Sequence, residues 1–269
     1  LKIPAILFSS ALLLSGCGGG GGGGSSANVA PDTPVLVAAD YRTTEYNTQY
    51  GLGKINADDI YADGYSGSGV VVGVIDTGVD IDHPDLVGNI ASGGYDYVSG
   101  DTDASPTGQG AGMSHGTHVA GIIAGMKNSV GMHGVAYSAK ILPLRAGDSS
   151  GSFASSAIEN SIDRAISQNA KVINASFGGS SISTALADKW KLAHTNNIIT
   201  VHAAGNDGGS NPLLGAQLPL HSGYEDLSST LIAVVATNSS NTITWYSNKC
   251  GSAKNWCMAA PGHGIYSTV

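Results

Sequence analysis

The feature of this sequence that most constrains its fold is a series of short apolar runs, rich in β-branched residues, separated by stretches with helical periodicity. The runs occupy residues 70–75, 140–145, 171–176, 198–204 and 231–237. They lack the alternation of apolar and polar residues, and a strand without it is typical of a sheet buried on both faces. The pattern therefore predicts an α/β fold with three layers, α/β/α, around a central, mostly parallel sheet.

The helical stretches agree with this prediction. Within residues 155–168, Ile158, Ile162 and Ile166 recur every four positions and form one apolar stripe. Residues 183–197 show the same type of pattern. In parallel sheets, ligands bind beyond the carboxyl ends of the strands. The polar, Gly-rich segments DTG, SFGG and GN follow the first, third and fourth runs, so we expect them to form one shared site.

The charge of the chain makes one class of partner improbable. The formal net charge is −8, from 12 Lys and Arg against 20 Asp and Glu, and no run of basic residues occurs. Because proteins bind nucleic-acid phosphates through clustered Lys and Arg, nucleic acid is not an expected partner.

Residues 1–17 have the composition of an export signal. A single Lys precedes an apolar stretch that is too short to span a bilayer and ends in small residues. The last four residues, LSGC, resemble a bacterial lipobox, which predicts lipidation of Cys17 and membrane attachment through a lipid anchor. An ordinary signal peptide with an incidental Cys is the alternative. We therefore expect an exported protein at the bacterial outer membrane or cell surface.

A glycine-rich run, residues 18–26, follows directly and is predicted to be a flexible tether. Residues 27–50 are polar and irregular, so residues 18–50 are interpreted as tether and N-terminal arm. The folded domain is expected over residues 51–269.

Export also favours a disulfide between Cys250 and Cys257, because disulfides persist outside the cytoplasm. A disulfide that closes so short a loop stabilises the fold by about 2–2.5 kcal/mol in the chain-entropy model. Two unpaired thiols are the alternative.

Asp76, at the end of the first run, is the first candidate for chemistry. A carboxylate there is poorly solvated and needs a cationic or hydrogen-bonding partner, for which His115 and His118 are the candidates. A carboxylate on one imidazole nitrogen fixes the tautomer and leaves the other nitrogen able to accept a proton. The competing interpretation is a zinc site and a metal-dependent hydrolase, although no HExxH pattern or flanking Cys or acidic residue supplies a third ligand.

Four ordered segments resemble sequence blocks of the subtilisin-like serine proteases, the subtilases. They are VVVGVIDTGVDIDHPDL (70–86), SHGTHVAGIIAG (114–125), INASFGG (173–179) and AAGN (203–206). Asp before His, with the Ser last, is the chain order of subtilisin. The resemblance implies a subtilisin-like fold and a serine endopeptidase that hydrolyses peptide bonds in a polypeptide substrate.

The resemblance also implies a role for each site residue. Asp76 would orient His115, the general base, and the side chain of Asn206 would stabilise the oxyanion. His118 would be a structural residue on the following helix.

Two further segments resemble the substrate-binding edges of the family. Ser176, Phe177, Gly178 and Gly179 resemble the segment that pairs with the substrate backbone and walls the primary specificity pocket, and Ser149, Ser150 and Gly151 resemble the opposite edge strand. Phe153 is expected near a more distant pocket that favours apolar side chains, or else in the core.

Subtilases often hold a structural Ca²⁺. The resemblance places its ligands at Asp85, the side-chain oxygen of Asn128, and the main-chain carbonyls of Met126, Val130 and Met132. The N-terminal ligand is not placed, and an ordinary turn is the alternative. No organic cofactor is expected.

The nucleophile of the family lies in a GTS motif followed by Met, Phe or Leu and then Ala, and residues 1–269 contain no such motif. Ser114, Ser176 and Ser267 all lack this context. The catalytic Ser is therefore expected beyond Val269, in a chain truncated before it, and residues 1–269 by themselves are predicted to be inactive. A short, inactive protein is the alternative.

The lipoprotein-type signal, the Gly tether and the NKCGSAKNWCMAAPG block (248–262) resemble bacterial autotransporter subtilases. The alternative function is that of a non-catalytic surface lipoprotein that keeps a peptide-binding groove.

Overall fold

The computed structural model describes residues 36–107 and 111–268. The strands are β1 (Val71–Asp76), β2 (Tyr95–Asp96), β3 (Lys140–Arg145), β4 (Val172–Ala175), β5 (Ile199–Ala203), β6 (Leu231–Thr237) and β7 (Cys257–Pro261). They form one sheet in the order β2-β3-β1-β4-β5-β6-β7, and every neighbouring pair is parallel. The predicted α/β class and the mostly parallel sheet are confirmed.

Five of these strands coincide with the apolar runs of the sequence, each to within one residue at either end. The two others were not predicted, for a simple reason. Strand β2 has only two residues, and β7, with the sequence CMAAP, contains no β-branched residue.

Helices cover both faces of the sheet. They are α1 (Thr44–Thr48), α2 (Tyr50–Lys54), α3 (Ala57–Ala62), α4 (Ala111–Ala124), α5 (Ser155–Ser167) and α6 (Thr184–Thr195). Short 3₁₀ helices occupy Ala38–Tyr41, Val87–Asn89, Leu214–Leu220, Glu225–Ser229 and Gly251–Ala253. On one face, Ala120 and Ala124 of α4 pack against Val74. On the other face, α5 and α6 pack against Ile75 and Ile173, which gives the three predicted layers.

The N-terminal arm differs from the prediction. The folded unit begins at Leu36, not at residue 51, and residues 38–54 are largely helical. Tyr46 and Leu52 are buried in an aromatic cluster with Tyr61, and Tyr137 packs against it from the body of the fold. The arm has few apolar residues and no clear period, so its packing depends on partners that are distant in the chain.

The parts of the chain that the structure describes include no helix long and apolar enough to cross a membrane. The predicted signal segment, Cys17 and the Gly tether lie outside the described residues.

Candidate active site

Asp76 is the last residue of β1, at the carboxyl edge of the sheet, and it is fully buried. Its Oδ1 accepts hydrogen bonds from the backbone N–H of Thr77 at 2.8 Å and from Nδ1 of His115 at 2.8 Å. The Thr77 hydroxyl lies 3.3 Å from the same oxygen. The carboxylate is therefore held in one orientation toward His115.

Helix α4 reaches Asp76 because two glycines allow a close approach. A Cβ on Gly116 would collide with the carbonyl oxygen of Gly78 and would lie 3.0 Å from Cβ of Asp76. Gly78 itself has a φ of +109°, a backbone conformation that glycine adopts readily. This contact places His115, the residue before Gly116, on the carboxylate.

The electrostatics of the pair suit a general base. The hydrogen bond that His115 donates to Asp76 raises the pKa of His115 above its ordinary value, and burial of the ring opposes part of this rise. With Nδ1–H donating to the carboxylate, the tautomer that follows leaves Nε2 as an acceptor. The His115 side chain is 48% exposed, so this nitrogen can meet a ligand.

A cavity of about 300 Å³, here named the His115 cavity, lies at the carboxyl edge of the sheet. Its walls include His115, Asn206, Ser176 and Ser247. Both serine hydroxyls already have partners. Ser176 Oγ accepts from Nδ2 of Asn174, and Ser247 Oγ accepts from the N–H of Ala236 and donates to the carbonyl of Asn248. The predicted base and the predicted oxyanion donor thus share one cavity, and neither serine hydroxyl is hydrogen-bonded to His115 within the described residues.

The loop that carries Asn206 is held by Asn248, a residue that the sequence analysis missed. Asn248 is buried, and its Oδ1 accepts from the N–H groups of Asp207 (3.1 Å) and Gly209 (2.7 Å). Its Nδ2 donates to the carbonyl of Ala204 at 3.0 Å. No sequence motif identifies Asn248, because its role depends on a loop about 40 residues earlier in the chain.

The structure places residues 176–179 as an open segment directly after β4, with Gly178 and Gly179 exposed. The ring of Phe177 stacks on that of Phe153, with centroids 4.5 Å apart. Both rings line a second cavity of about 430 Å³, here named the Phe153 cavity. Phe153 also packs against the large core cluster, so it lies between this cavity and the core.

Ser149, Ser150 and Gly151 do not form the edge strand that was predicted. They form an exposed turn in which Oδ1 of Asp148 accepts from the N–H groups of Ser150 (2.8 Å) and Ser152 (3.0 Å). Gly151 has a φ of +76°, which an extended strand does not allow. The Asp side chain therefore closes the chain into a turn at this point.

His118 lies apart from the pair. Its Nε2 is 3.3 Å from the carbonyl oxygen of Ile265, while His115 is engaged by Asp76. Within the described residues, no three His, Cys, Asp or Glu side chains come together as a metal-ligand group. The two histidines thus do not converge on one point, as a zinc site requires.

The predicted calcium ligands lie together around Asp85. Its Oδ1 is 2.8 Å from Nδ2 of Asn128, and its main-chain oxygen accepts from the N–H of Met126 at 2.8 Å. Val130 N–H donates to Oδ1 of Asn128, and Met132 is buried at the end of the loop. Asp85 and Asn128 supply the carboxylate and amide groups that Ca²⁺ prefers, and the side-chain amide of Asn128 must rotate to present Oδ1 rather than Nδ2 beside Asp85.

Glu45, which the sequence analysis also missed, fixes the same loop from the N-terminal arm. Its carboxylate accepts from the N–H groups of Asn128 and Ser129, each at 3.0 Å. Glu45 is 5% exposed, so these two hydrogen bonds are shielded from water.

Cys250 and Cys257 form a disulfide in the structure, with their Cα atoms 5.7 Å apart. The bond joins the start of the Gly251–Ala253 3₁₀ helix to the first residue of β7.

Gly116→Ala tests the close approach of α4. We expect the free energy of unfolding to fall by about 1–3 kcal/mol or more, because the new methyl group meets backbone atoms that cannot move aside cheaply. Gly112→Ala in the same helix is the matched control, since no atom lies within 4 Å of its added Cβ, and it should gain about 0.5–1 kcal/mol. Urea unfolding followed by circular dichroism measures both. A Gly116→Ala protein as stable as the parent would contradict the contact.

The parallel sheet, with an Asp–His pair and an exposed Asn on one cavity at its carboxyl edge, defines a protein of the subtilisin-like fold. The chain belongs to the subtilase family, whose family model matches residues 67–269. The family inferred from the four sequence blocks is therefore confirmed.

Individual relatives agree. Subtilisin E of Bacillus subtilis (strain 168) is 41% identical over 235 residues, which are 87% of this chain and 58% of that protein. Thermitase of Thermoactinomyces vulgaris is 39% identical over 221 residues, or 82% of this chain and 72% of that protein. A crystal structure of a cold adapted subtilisin-like serine proteinase matches with a TM-score of 0.61 and 33% identity, over 76% of this chain and 67% of that chain. The chain thus spans a little over half the length of the subtilisin.

Proposed function

We propose that this protein is a serine endopeptidase that hydrolyses polypeptides through an Asp-His-Ser triad. One observation carries the proposal: the buried Asp76 carboxylate holds His115 at 2.8 Å, and His115 opens on a cavity that Asn206 also lines. The relatives named above are serine proteases of the same fold, which supports the same reaction class here.

In the proposed reaction, Nε2 of His115 takes the proton of the attacking serine hydroxyl as its oxygen bonds to the substrate carbonyl carbon. The imidazolium that forms is stabilised by Asp76 at Nδ1, and the side-chain N–H of Asn206 donates to the oxyanion. His115 then gives the proton to the leaving amine. Water repeats the sequence on the acyl-enzyme and releases the acid.

The nucleophile is a serine C-terminal to Val269 in this proposal. The hydroxyls of Ser176 and Ser247 are engaged elsewhere, as described above. Near the other end of the described chain, Ser267 and Thr268 donate to the carbonyls of His118 and Thr117 on α4. These carbonyls lie within one turn of His115 along α4, so the described end of the chain is held against the helix that carries the proposed base.

Reaction of the full gene product with diisopropyl fluorophosphate, followed by peptide mass mapping, tests the proposal. We expect casein hydrolysis to stop as one serine C-terminal to Thr268 is labelled. A label on Ser176 or Ser247 would assign a different nucleophile. Casein hydrolysis that resists the reagent but stops with a zinc chelator would indicate a metal-dependent hydrolase. Peptide binding without hydrolysis or label would indicate a non-catalytic lipoprotein.

Asn206→Ala tests the oxyanion role. We expect kcat to fall by about 10²–10³-fold with KM nearly unchanged. This is the loss known in subtilisin itself when one oxyanion-hole donor is removed. Asn206 is exposed on its loop, so the fold should keep its melting temperature. Steady-state kinetics on a peptide anilide measures the change. A rise in KM at constant kcat would show that Asn206 binds substrate instead.

We also propose that Asp85 and residues 126–132 hold a structural Ca²⁺. Removing the ion with EGTA should lower the melting temperature by roughly 5–10 °C, since a ligand at 100 times its Kd contributes about 2.7 kcal/mol. Asp85→Asn should melt lower and lose the response to EGTA. Asp82→Asn, an exposed carboxylate nearby, should keep it. Differential scanning calorimetry measures these melting temperatures. If EGTA leaves the melting temperature of the parent protein unchanged, the calcium proposal is wrong.

A further inference from the structure

His202 is a buried histidine that the proposed mechanism does not use. It lies on β5, is 3% exposed, and packs edge-to-face on Trp190 with ring centroids 4.6 Å apart. It lines the Phe153 cavity, whose walls also include Gly151 and residues 177–179, and it lines the His115 cavity as well.

The imidazole of His202 has unused hydrogen-bonding capacity. Its Nε2 has no partner among the described residues. Its Nδ1 lies 3.5 Å from the point that a Cβ on residue 215 would occupy, and because residue 215 is Gly, no side chain fills that space. Gly215 lines the same cavity, so Nδ1 faces the cavity beside it.

The charge state of this imidazole follows from its burial, which lowers the pKa of His202 to about 4. At neutral pH the ring is therefore uncharged and presents one N–H donor and one nitrogen acceptor. Nε2 is sealed from solvent, so a ligand in the cavity can reach only Nδ1, which also has no hydrogen bond within the described residues. A polar group without a partner costs free energy, so a ligand that pairs with Nδ1 is favoured.

The other walls of the cavity restrict the ligand further. One side is apolar and partly aromatic, with Phe153, Phe177, Ile158, Leu186 and Trp190, and the remaining walls carry serine hydroxyls, from Ser152, Ser155, Ser180 and Ser181. The apolar side favours a flat apolar body, and it disfavours an ammonium or a carboxylate, which would lose its hydration. A phenol combines an aromatic ring with a hydroxyl that both donates and accepts, so it can pair with either tautomer of His202.

We propose that His202 is a specificity-determining residue, whose imidazole at the floor of the Phe153 cavity selects a tyrosine side chain of a peptide bound along residues 176–179. The inference rests on the proposed peptidase function and deepens it. Phenylalanine fills the same space but leaves the imidazole unpaired, and a site that hydrogen-bonds a substrate hydroxyl discriminates against the analogue that lacks it.

Binding of matched peptides to the full chain tests this inference, with His115→Ala in every protein used for binding so that the peptides are not cleaved. The probes are capped hexa-alanine peptides with a carboxyl-terminal fluorophore and one Tyr or one Phe at each position in turn, followed by fluorescence anisotropy. At one position we expect the Tyr peptide to bind about tenfold tighter than the Phe peptide, the effect of one hydrogen bond. At the other positions the two peptides should bind alike.

Two variants assign the preference to the imidazole. His202→Leu removes the hydrogen-bonding group, and Gly215→Ala keeps it but places a methyl group in ordinary contact with Nδ1. Both should reduce the Tyr-to-Phe ratio to about one, and thermal melting establishes that each is folded. Phe177→Ala is the control: it removes part of the apolar wall and should weaken the Tyr and Phe peptides alike, with the ratio kept.

A ratio near one in the parent protein, with measurable binding of both peptides, overturns the role of His202 and leaves the peptidase proposal standing. A tenfold ratio that survives in both His202→Leu and Gly215→Ala also overturns it. If no peptide binds and casein is not hydrolysed, the peptidase proposal fails and this inference fails with it.

Discussion

His115→Ala is expected to lower kcat on a peptide substrate by on the order of 10⁶-fold in the full protein, the size of loss known for this change in subtilisin itself. Without the imidazole, no group accepts the proton of the nucleophile, although binding and the oxyanion donor still give a small rate above that of water. KM should change little. Active-site titration combined with steady-state kinetics on a peptide anilide measures the loss.

The matched control for this change is His118→Ala, three residues further along α4. His118 makes one hydrogen-bond contact of 3.3 Å with the carbonyl of Ile265, so its loss should cost no more than about 1 kcal/mol of stability and leave kcat within a few-fold. Comparable losses in both variants, together with sensitivity to a zinc chelator, would instead favour a metal site that uses both histidines.

Asp76→Asn should lower kcat by on the order of 10⁴-fold, which is the loss that removal of the orienting carboxylate causes in serine proteases. An amide donor facing Nδ1 favours the tautomer with the proton on Nε2, and that nitrogen then cannot act as base. With the NH₂ group at the position of Oδ1, it also meets the N–H of Thr77 donor to donor and leaves that N–H unpaired, which costs about 1–3 kcal/mol of stability.

The pH profile gives Asp76→Asn a second readout. In the parent, the bond to Asp76 raises the pKa of His115, so the acid limb of kcat/KM should lie above the ordinary imidazole value. In the variant only the effect of burial remains, which lowers this pKa, so the acid limb of the residual activity should move to lower pH. The control is Asp82→Asn, which changes an exposed carboxylate six residues after Asp76. An acid limb that does not move would show that Asp76 does not set the protonation of His115.

The strands and the candidate catalytic residues could be predicted from local sequence. Each of the five apolar runs became a strand, because β-branched residues without polar alternation are suited to a sheet that is covered on both faces. The apolar runs place Asp76 at the end of β1 and Asn206 just after β5, both at the carboxyl edge of the sheet. Asp76 meets His115 of α4 at this edge. The subtilase family followed from four short segments alone.

Other features could not be predicted, because they join parts of the chain that no local pattern connects. The N-terminal arm packs through Tyr46 against Tyr61 of α3 and the cluster that Tyr137 joins, and Glu45 binds the loop at Asn128, some 80 residues away. The edge strand expected at 149–151 rested on family resemblance alone, and in the structure the side chain of Asp148 closes these residues into a turn.

The amino-acid sequence alone determined the α/β class, the family and the identity of the Asp–His pair, since burial periodicity and reactive side chains are both properties of short segments. The folded chain alone revealed the clamp that Asn248 places on the Asn206 loop and the unpartnered imidazole of His202 beneath the Phe153 cavity. Whether a polar group is satisfied depends on which distant loop packs over it, and that is a property of three-dimensional packing rather than of sequence pattern.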